Sequence, residues 1–185
     1  AVSDIKASMG SIRGVVHSAI TLTDKTVSQM SERQLCDALL PKLNATLALA
    51  KCFHDEALEF VLFFSSVQSF LTMPGQGNYA AGSCFIDLYA ELLRKSLNCS
   101  VKVMNWGYWG RVGIVADDAN RQRASEAGVR SIEPAEGWEA LNQLMALPTD
   151  QLAFLPGSRS EILSLPIDDQ QLVMTHEQAF TPNFL

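Results

Sequence analysis

The sequence predicts an α/β fold built around a parallel sheet. Two observations carry that expectation. Short apolar runs rich in β-forming residues, the clearest being Phe60–Phe64, are too short to be buried helices. They alternate along the chain with longer stretches whose apolar residues recur at helical spacing, and strands that alternate with helices pair in parallel through βαβ units. The stretch from Phe60 to Lys95 shows one whole unit. Its strand runs into Ser65 and Ser66, a loop with Pro74, Gly75 and Gly77 follows, and a helix closes on Arg94 and Lys95. Basic residues suit the negative end of a helix dipole.

Residues 2–10 read as a helix ending at Gly10, and Ile12–His17 as a short buried strand. Ser31 and Gln34 form a capping-box pattern for a helix carrying Leu35, Ala38, Leu39, Leu43, Leu47 and Ala50. Pro41 lies inside that pattern, removes a backbone donor and predicts a kink just before Lys42. After the Phe60–Phe64 strand, a helical pattern starts at Ala80 and uses Ala81, Phe85, Leu88 and Leu92. Ser100–Asn105 is a third strand, followed by the loop Trp106-Gly107-Tyr108-Trp109-Gly110 and a polar stretch to Gly128. Pro134 opens a helix with Trp138, Leu141, Leu144 and Met145, and Gln151–Leu155 is the last strand. Residues 1–156 thus read as one domain portion. Residues 157–185, with Pro166, Pro182 and Asp168-Asp169, read as a linker or tail.

A chain of 185 residues suffices for one domain with a real core. Its 48% hydrophobic and 18% charged content separates it from disordered chains. A net charge of −6 without a basic stripe speaks against a nucleic-acid partner. The apolar runs fall short of a bilayer span and no secretory leader is visible, so a cytoplasmic protein without membrane contact is expected. The chain opens in polar sequence, as a fragment does. Cys36, Cys52, Cys84 and Cys99 lack CxxC spacing and sit in apolar contexts, the pattern of reduced buried thiols. His17, His54 and His176 form no ligand motif, and no metal is expected.

In open α/β sheets, ligands bind beyond the carboxyl ends of the strands. Ser66 and Tyr79 fall there. With Lys42 they could form a proton-transfer group. A free tyrosine has a pKa of about 10, so it gives up its proton readily only if the phenolate is stabilised. A nearby ammonium does this, and a serine hydroxyl can hold a substrate carbonyl. On spacing alone the plainer alternative stays open: a packed tyrosine, a turn serine and a surface lysine.

Five ordered blocks narrow the choice: Gly14-Val-Val-His-Ser-Ala19, Pro41-Lys42-Leu43-Asn44, Phe60-Val-Leu-Phe-Phe-Ser-Ser66, Gly75-Gln-Gly-Asn-Tyr-Ala-Ala-Gly82 and Asn105-Trp-Gly-Tyr-Trp-Gly110. In order and spacing, residues 1 to about 156 resemble the catalytic C-terminal half of a ketoreductase domain from a modular polyketide synthase, within the short-chain dehydrogenase/reductase superfamily. The variants at Ser18-Ala19-Ile20 and Trp106–Gly110 are similar to forms seen in trans-acyltransferase synthases.

The resemblance implies a Rossmann-like, doubly wound parallel sheet. It also implies NADPH-dependent reduction of a β-ketoacyl thioester, held on the phosphopantetheine arm of an acyl carrier protein. Tyr79 would protonate the forming alkoxide, Ser66 would hydrogen-bond the β-carbonyl, and Lys42 would lower the tyrosine's pKa and contact the nicotinamide ribose. Preplaced donors for the developing oxyanion supply rate, and the hydride is the cofactor's. His17, Ser18 and Ala19, with Trp106 and Gly107, would line the nicotinamide end.

Three departures qualify this. The fourth position after the tyrosine is commonly asparagine in these ketoreductases and is Ser83 here; it shares a helix face with Tyr79 and could bond a water or Lys42. The family's Leu-Asp-Asp stereochemical marker aligns with Leu22-Thr23-Asp24, and the tryptophan of the opposite class aligns with Leu71, which leans towards a D-configured alcohol. No glycine-rich turn follows a strand as a pyrophosphate site requires, and the recurrence of Gly107, Gly110 and Gly113 comes after the third strand. The nucleotide-binding first half is therefore expected on the same or another chain. Alone, these residues would leave a sheet edge and apolar faces for that half, for other synthase domains or for a homodimer partner to cover. Two further readings stay open: a catalytically inactive structural module of a synthase, and redox-neutral epimerisation on the same fold.

Overall fold

Residue identity along the sheet separates two cores. In the computed structural model, which describes residues 1–71, 73–112, 122, 124, 125 and 128–164, four parallel strands lie side by side in chain order. They are β1 (Gly14–His17), β2 (Phe60–Ser66), β3 (Ser100–Trp106) and β4 (Gln151–Phe154). The helices are α1 (Val2–Met9), α2 (Glu32–Cys52), α3 (Gly77–Ser96), α4 (Pro134–Ala146) and the short α5 (Arg159–Leu163).

Side chains alternate across a strand, so β2 and β3 serve both faces. Val61, Phe63, Val101 and Val103 meet Ile86, Ala90 and Leu93 of α3. Leu62 and Met104 point the other way, onto Ala140 and Leu144 of α4. The sheet is thus doubly wound. Phe63 and Ile86 are wholly buried, and each such side chain contributes roughly 1.5–3 kcal/mol.

Local chemistry sets the helix starts. The Ser31 hydroxyl accepts from the Gln34 amide, while the Gln34 side chain accepts from the Ser31 amide, the reciprocal capping box. Pro134 occupies the first turn of α4, where its missing N–H costs nothing. At the other end of α4, the buried Lys102 donates to the carbonyls of Leu147 and Thr149 at 3.0 and 2.6 Å.

Several boundaries differ from expectation. β1 starts at Gly14, β2 reaches Ser66, α3 begins at Gly77, and α2 is one helix that continues through Pro41. The buried stripes differ more. α2 turns Ala38, Lys42 and Thr46 inward, while Leu35 and Leu47 are exposed. On α3, Leu88 and Leu92 are 67% and 58% exposed, and the buried residues are Asn78, Gly82, Ser83, Ile86, Ala90 and Leu93. The inward stripes carry the polar groups of the site, so apolar periodicity finds part of the buried side of α2, including Ala38, and misses Lys42, Thr46 and Ser83.

β1 pairs with β2 and, among the described residues, with no other strand. In register, Ser66 lies beside Trp106, and Trp106 beside Phe154, so the carboxyl ends of β2, β3 and β4 share one rim. Gly113 and residues 165–185, which include most of the expected tail, lie outside the described residues.

Candidate active site

A cleft of about 870 Å³ opens at that rim. Ser18, Ala19, Lys42, Ser66, Tyr79, Trp106 and Gly107 all line it. Three elements deliver the polar group. β2 ends at Ser66, α3 presents Tyr79 in its first turn and Ser83 one turn later, and α2 extends Lys42 across from the same side of the sheet.

Lys42 is 2% exposed and Ser83 fully buried. The Lys42 ammonium donates to the Ser83 hydroxyl at 2.8 Å, and that hydroxyl donates to the Tyr79 carbonyl at 3.0 Å. Of the two partners open to Ser83, the structure shows the lysine. Lys42 Nζ also stands 4.3 Å from the centroid of the Tyr79 ring, over its face. This closeness depends on Gly82, where a Cβ would meet Lys42 Cδ at 3.0 Å. The Ser66 hydroxyl faces the Tyr79 phenol, accepts from the Gln68 amide at 3.2 Å and reaches the Trp106 carbonyl at 3.5 Å.

Burial pushes Lys42 down to about 8, against the upward pull of the Asp87 and Cys84 charges. Tyr79 moves up rather than down. Burial is the largest cause; the Ser66 hydrogen bond opposes it and the negative charge of Asp24 adds to it. The expected lowering by Lys42 does not emerge, because the ammonium lies over the ring face and is bonded to Ser83. Tyr79 is therefore held as a neutral phenol with its proton in place.

His17 departs from the rest of the expected set. It is 3% exposed, packs its ring against Phe63 with centroids 5.7 Å apart, and does not line the cleft. Burial lowers its pKa, and the Lys42 charge adds to that. The next residues, Ser18 and Ala19, carry the lining role.

Beneath Tyr79 and Ser83, Asp87 extends the same face of α3 by one more turn. Its Oδ2 accepts from Asn105 Nδ2 at 2.9 Å. That amide also donates to the Ser66 carbonyl at 3.1 Å and to Ser69 Oγ at 3.0 Å, while Asn105 Oδ1 accepts from Gln151 at 2.8 Å. Asp24 accepts from Gln76 at 2.8 Å, and the buried Asn78 donates to the Thr23 carbonyl at 3.3 Å, which ties the Thr23-Asp24 loop to the start of α3. Sequence reading passed over Asp87 and Asn78. The available signal was a lone carboxylate eight residues after Tyr79, inside an otherwise apolar run.

Comparison with known proteins decides the family. The model described as "KR domain" matches residues 1–111. The chain belongs to the KR-domain family. Polyketide synthase PksN of Bacillus subtilis is 43% identical to this KR chain over 155 residues, covering 84% of the chain and 3% of the synthase. Polyketide synthase ThaG of Burkholderia thailandensis is 40% identical over 181 residues, covering 98% of the chain and 3% of the synthase. The chain thus spans a small fraction of the curated relatives it matches. A solved ketoreductase domain from the bacillaene assembly line superposes with a TM-score of 0.79 at 26% identity, covering 87% of this chain and 40% of that one. An N-terminal ketoreductase from the macrolactin assembly line gives 0.77 at 25%, covering 88% and 32%. A short-chain dehydrogenase from Streptomyces avermitilis, at 18% identity and a TM-score of 0.69, covers 87% of this chain and 65% of that one, and shares the fold. The expected Rossmann-like class therefore holds, and this chain covers part of the KR fold.

Proposed function

We propose that this chain is the catalytic portion of a β-ketoacyl reductase: it reduces a β-ketoacyl thioester, carried by an acyl carrier protein during polyketide synthesis, to the β-hydroxyacyl thioester. One observation supports this above the others. Ser66, Tyr79 and Lys42, drawn from three elements, line one cleft at the carboxyl end of the sheet, with the buried Ser83 bonded to Lys42 behind them.

The residues present fit the nicotinamide end of NADPH. Ser18, Ala19 and Gly107 leave room along the rim, Trp106 offers a flat wall, and the Lys42 ammonium has donors beyond the one used on Ser83. Those residues would hold the nicotinamide and its ribose. NADPH supplies the hydride. The pyrophosphate and adenosine are assigned to a nucleotide-binding half outside this sequence, on the same or another chain, beside the open edge of β1.

Ser66 donates to the ketone oxygen and so polarises the carbonyl. As negative charge develops there, Tyr79 passes its phenolic proton to that oxygen. The phenolate left behind is stabilised by the Lys42 ammonium over its ring. Ser83 fixes the direction of Lys42. Asp24 lines the same cleft, and together with Leu22 it supports a D-configured alcohol as product.

The test is NADPH oxidation with a β-ketoacyl thioester by the full polypeptide that contains this chain, with Tyr79→Phe alongside. Turnover that falls at least about a hundredfold in Tyr79→Phe supports the reading. No turnover in the native protein sinks it. Ser83 in the usual asparagine position favours a second reading, a non-catalytic module within a synthase; that reading predicts cofactor-independent assembly and an inert Tyr79→Phe.

A further inference from the structure

Resting on the reductase reading, we propose that Asp87 is a positioning residue of this site: its carboxylate fixes the Asn105 amide that holds the Ser66 backbone, and it is the counter-charge of the buried Lys42 ammonium. Asp87 does not line the cleft and touches no reacting atom. It acts through its neighbours.

The geometry has two arms. The first runs through Asn105, which is fully buried and sits next to the strand-end residue Trp106. Its amide nitrogen faces three acceptors: Asp87 Oδ2 at 2.9 Å, Ser69 Oγ at 3.0 Å and the Ser66 carbonyl at 3.1 Å. A neutral amide shared among three acceptors is held by the most negative one, so the carboxylate sets where the group points. The Ser66 carbonyl then anchors the end of β2, and with it the hydroxyl that meets Tyr79. A serine displaced by about 1 Å from its productive position loses roughly a hundredfold in rate.

The second arm runs along α3. Tyr79, Ser83 and Asp87 are spaced four residues apart, so they stack on the face that meets Lys42 of α2. No acidic group forms an ion pair with Lys42 at contact distance among the described residues. Asp87 is the foremost of the charges that favour its ammonium form. The groups around this pair are Tyr79, Ser83 and Cys84 on α3, His17 on β1, Ser65 on β2, Ser69 on the turn after it, and Asn105 on β3. Asp24 faces Tyr79 from the loop after β1. Burial raises the Asp87 pKa; the neighbouring Ser65 and Ser69 hydroxyls, the Asn105 amide and then the Lys42 charge pull the other way. By geometry Oδ2 accepts from Asn105 at 2.9 Å, while Oδ1 is buried without a hydrogen-bond partner and faces no donor but the nearby hydroxyls.

The experiment uses the full polypeptide and reads two quantities. Steady-state ketone reduction gives kcat, KM and the pH profile. Competitive acetylation with acetic anhydride, read at the Lys42 peptide by mass spectrometry, gives the Lys42 titration midpoint without any need for turnover. Asp87→Asn is expected to lower kcat about tenfold with KM within about twofold. It should also move both the alkaline limb of kcat and the Lys42 midpoint to lower pH by about one unit. Asp87→Glu, which keeps the charge, should restore the midpoint and the limb. An unchanged midpoint in Asp87→Asn, or a midpoint that falls equally in both variants, overturns the proposal. If Asp87→Asn does not fold, Ser69→Ala takes its place: a fall in kcat of about twofold or more with KM unchanged supports the proposal, and native kinetics overturn it. A native protein without turnover refutes the reductase reading, while the acetylation midpoint still decides the fate of Asp87.

Discussion

Lys42 lies over the face of the Tyr79 ring, with Nζ 4.3 Å from the centroid, rather than at the phenolic oxygen. A cation over an aromatic face is attracted by the ring quadrupole, and a phenolate ring offers far more negative charge than a phenol. The contact therefore strengthens as Tyr79 gives up its proton. In the reaction proposed above, it favours the transition state over the resting state.

Lys42→Met separates stability from activity. A buried lysine pushed down to about 8 binds fewer protons folded than unfolded between pH 8 and its ordinary value of 10.5. In that window stability rises with pH, and below it the folded state bears the full cost of burying the charge. Lys42→Met should raise stability by about 1–3 kcal/mol at pH 7, with the advantage shrinking as pH climbs towards the ordinary lysine value. Urea denaturation at several pH values checks this. Reduction should fall at least about a hundredfold in the same variant.

Ser83→Ala removes the one hydroxyl bonded to the Lys42 ammonium. Loss of a buried, charge-assisted hydrogen bond should cost about 1.5–3 kcal/mol, read by thermal or urea denaturation. The freed ammonium is no longer directed across Tyr79, and kcat should drop about tenfold with KM nearly unchanged.

Gly82→Ala tests the close approach of the two helices. The added Cβ would meet Lys42 Cδ at 3.0 Å, the middle of a flexible side chain rather than backbone. Replacing a mid-helix glycine contributes about 0.5–1 kcal/mol, which should offset most of the crowding. Stability should stay within about 1 kcal/mol of native while kcat falls several-fold, because the displaced group is Lys42 itself. Paired denaturation and kinetic measurements distinguish this from general unfolding.

Gly137→Ala acts on the cleft wall. A Cβ there would land on the Trp109 ring, which packs against Trp106 with centroids 5.1 Å apart. Overpacking of this kind costs about 1–3 kcal/mol. The expected outcome is a shifted tryptophan emission spectrum and a higher KM for the acyl thioester, with the pH profile unchanged.

The order of elements was legible in the sequence because each signal was local: capping at Ser31, proline at 134, and short runs such as Phe60–Phe64. The placement of Ser66 and Tyr79 followed from strand ends and helix starts. What escaped was the orientation of the helices. Leu88 and Leu92 form an apolar row, yet the chain buries Ser83, Ile86 and Ala90 instead. Periodicity assumes that the buried side is the apolar side, and here the inward faces of α2 and α3 hold Lys42, Thr46, Asn78 and Ser83. Asp87 was missed for the same reason. Its partner Asn105 and its neighbours Ser65 and Ser69 are distant in sequence and meet it only once the strands are in register. His17 was expected in the cleft because of its neighbours Ser18 and Ala19, but strand alternation turns it onto Phe63.

Lys42, Ser66, Tyr79 and Ser83 all come from one uninterrupted α2–β2–α3 passage, residues 32–96. For hybrid synthases assembled by recombination, this sets where chains can be joined. A crossover before Glu32 or after Ser96 keeps these four side chains in one inheritance, and one after Ser96 leaves Asn105, Trp106 and Gly107 to be matched by the other parent. A crossover between Ser66 and Tyr79 divides the donors between two parents whose helices were never fitted to each other.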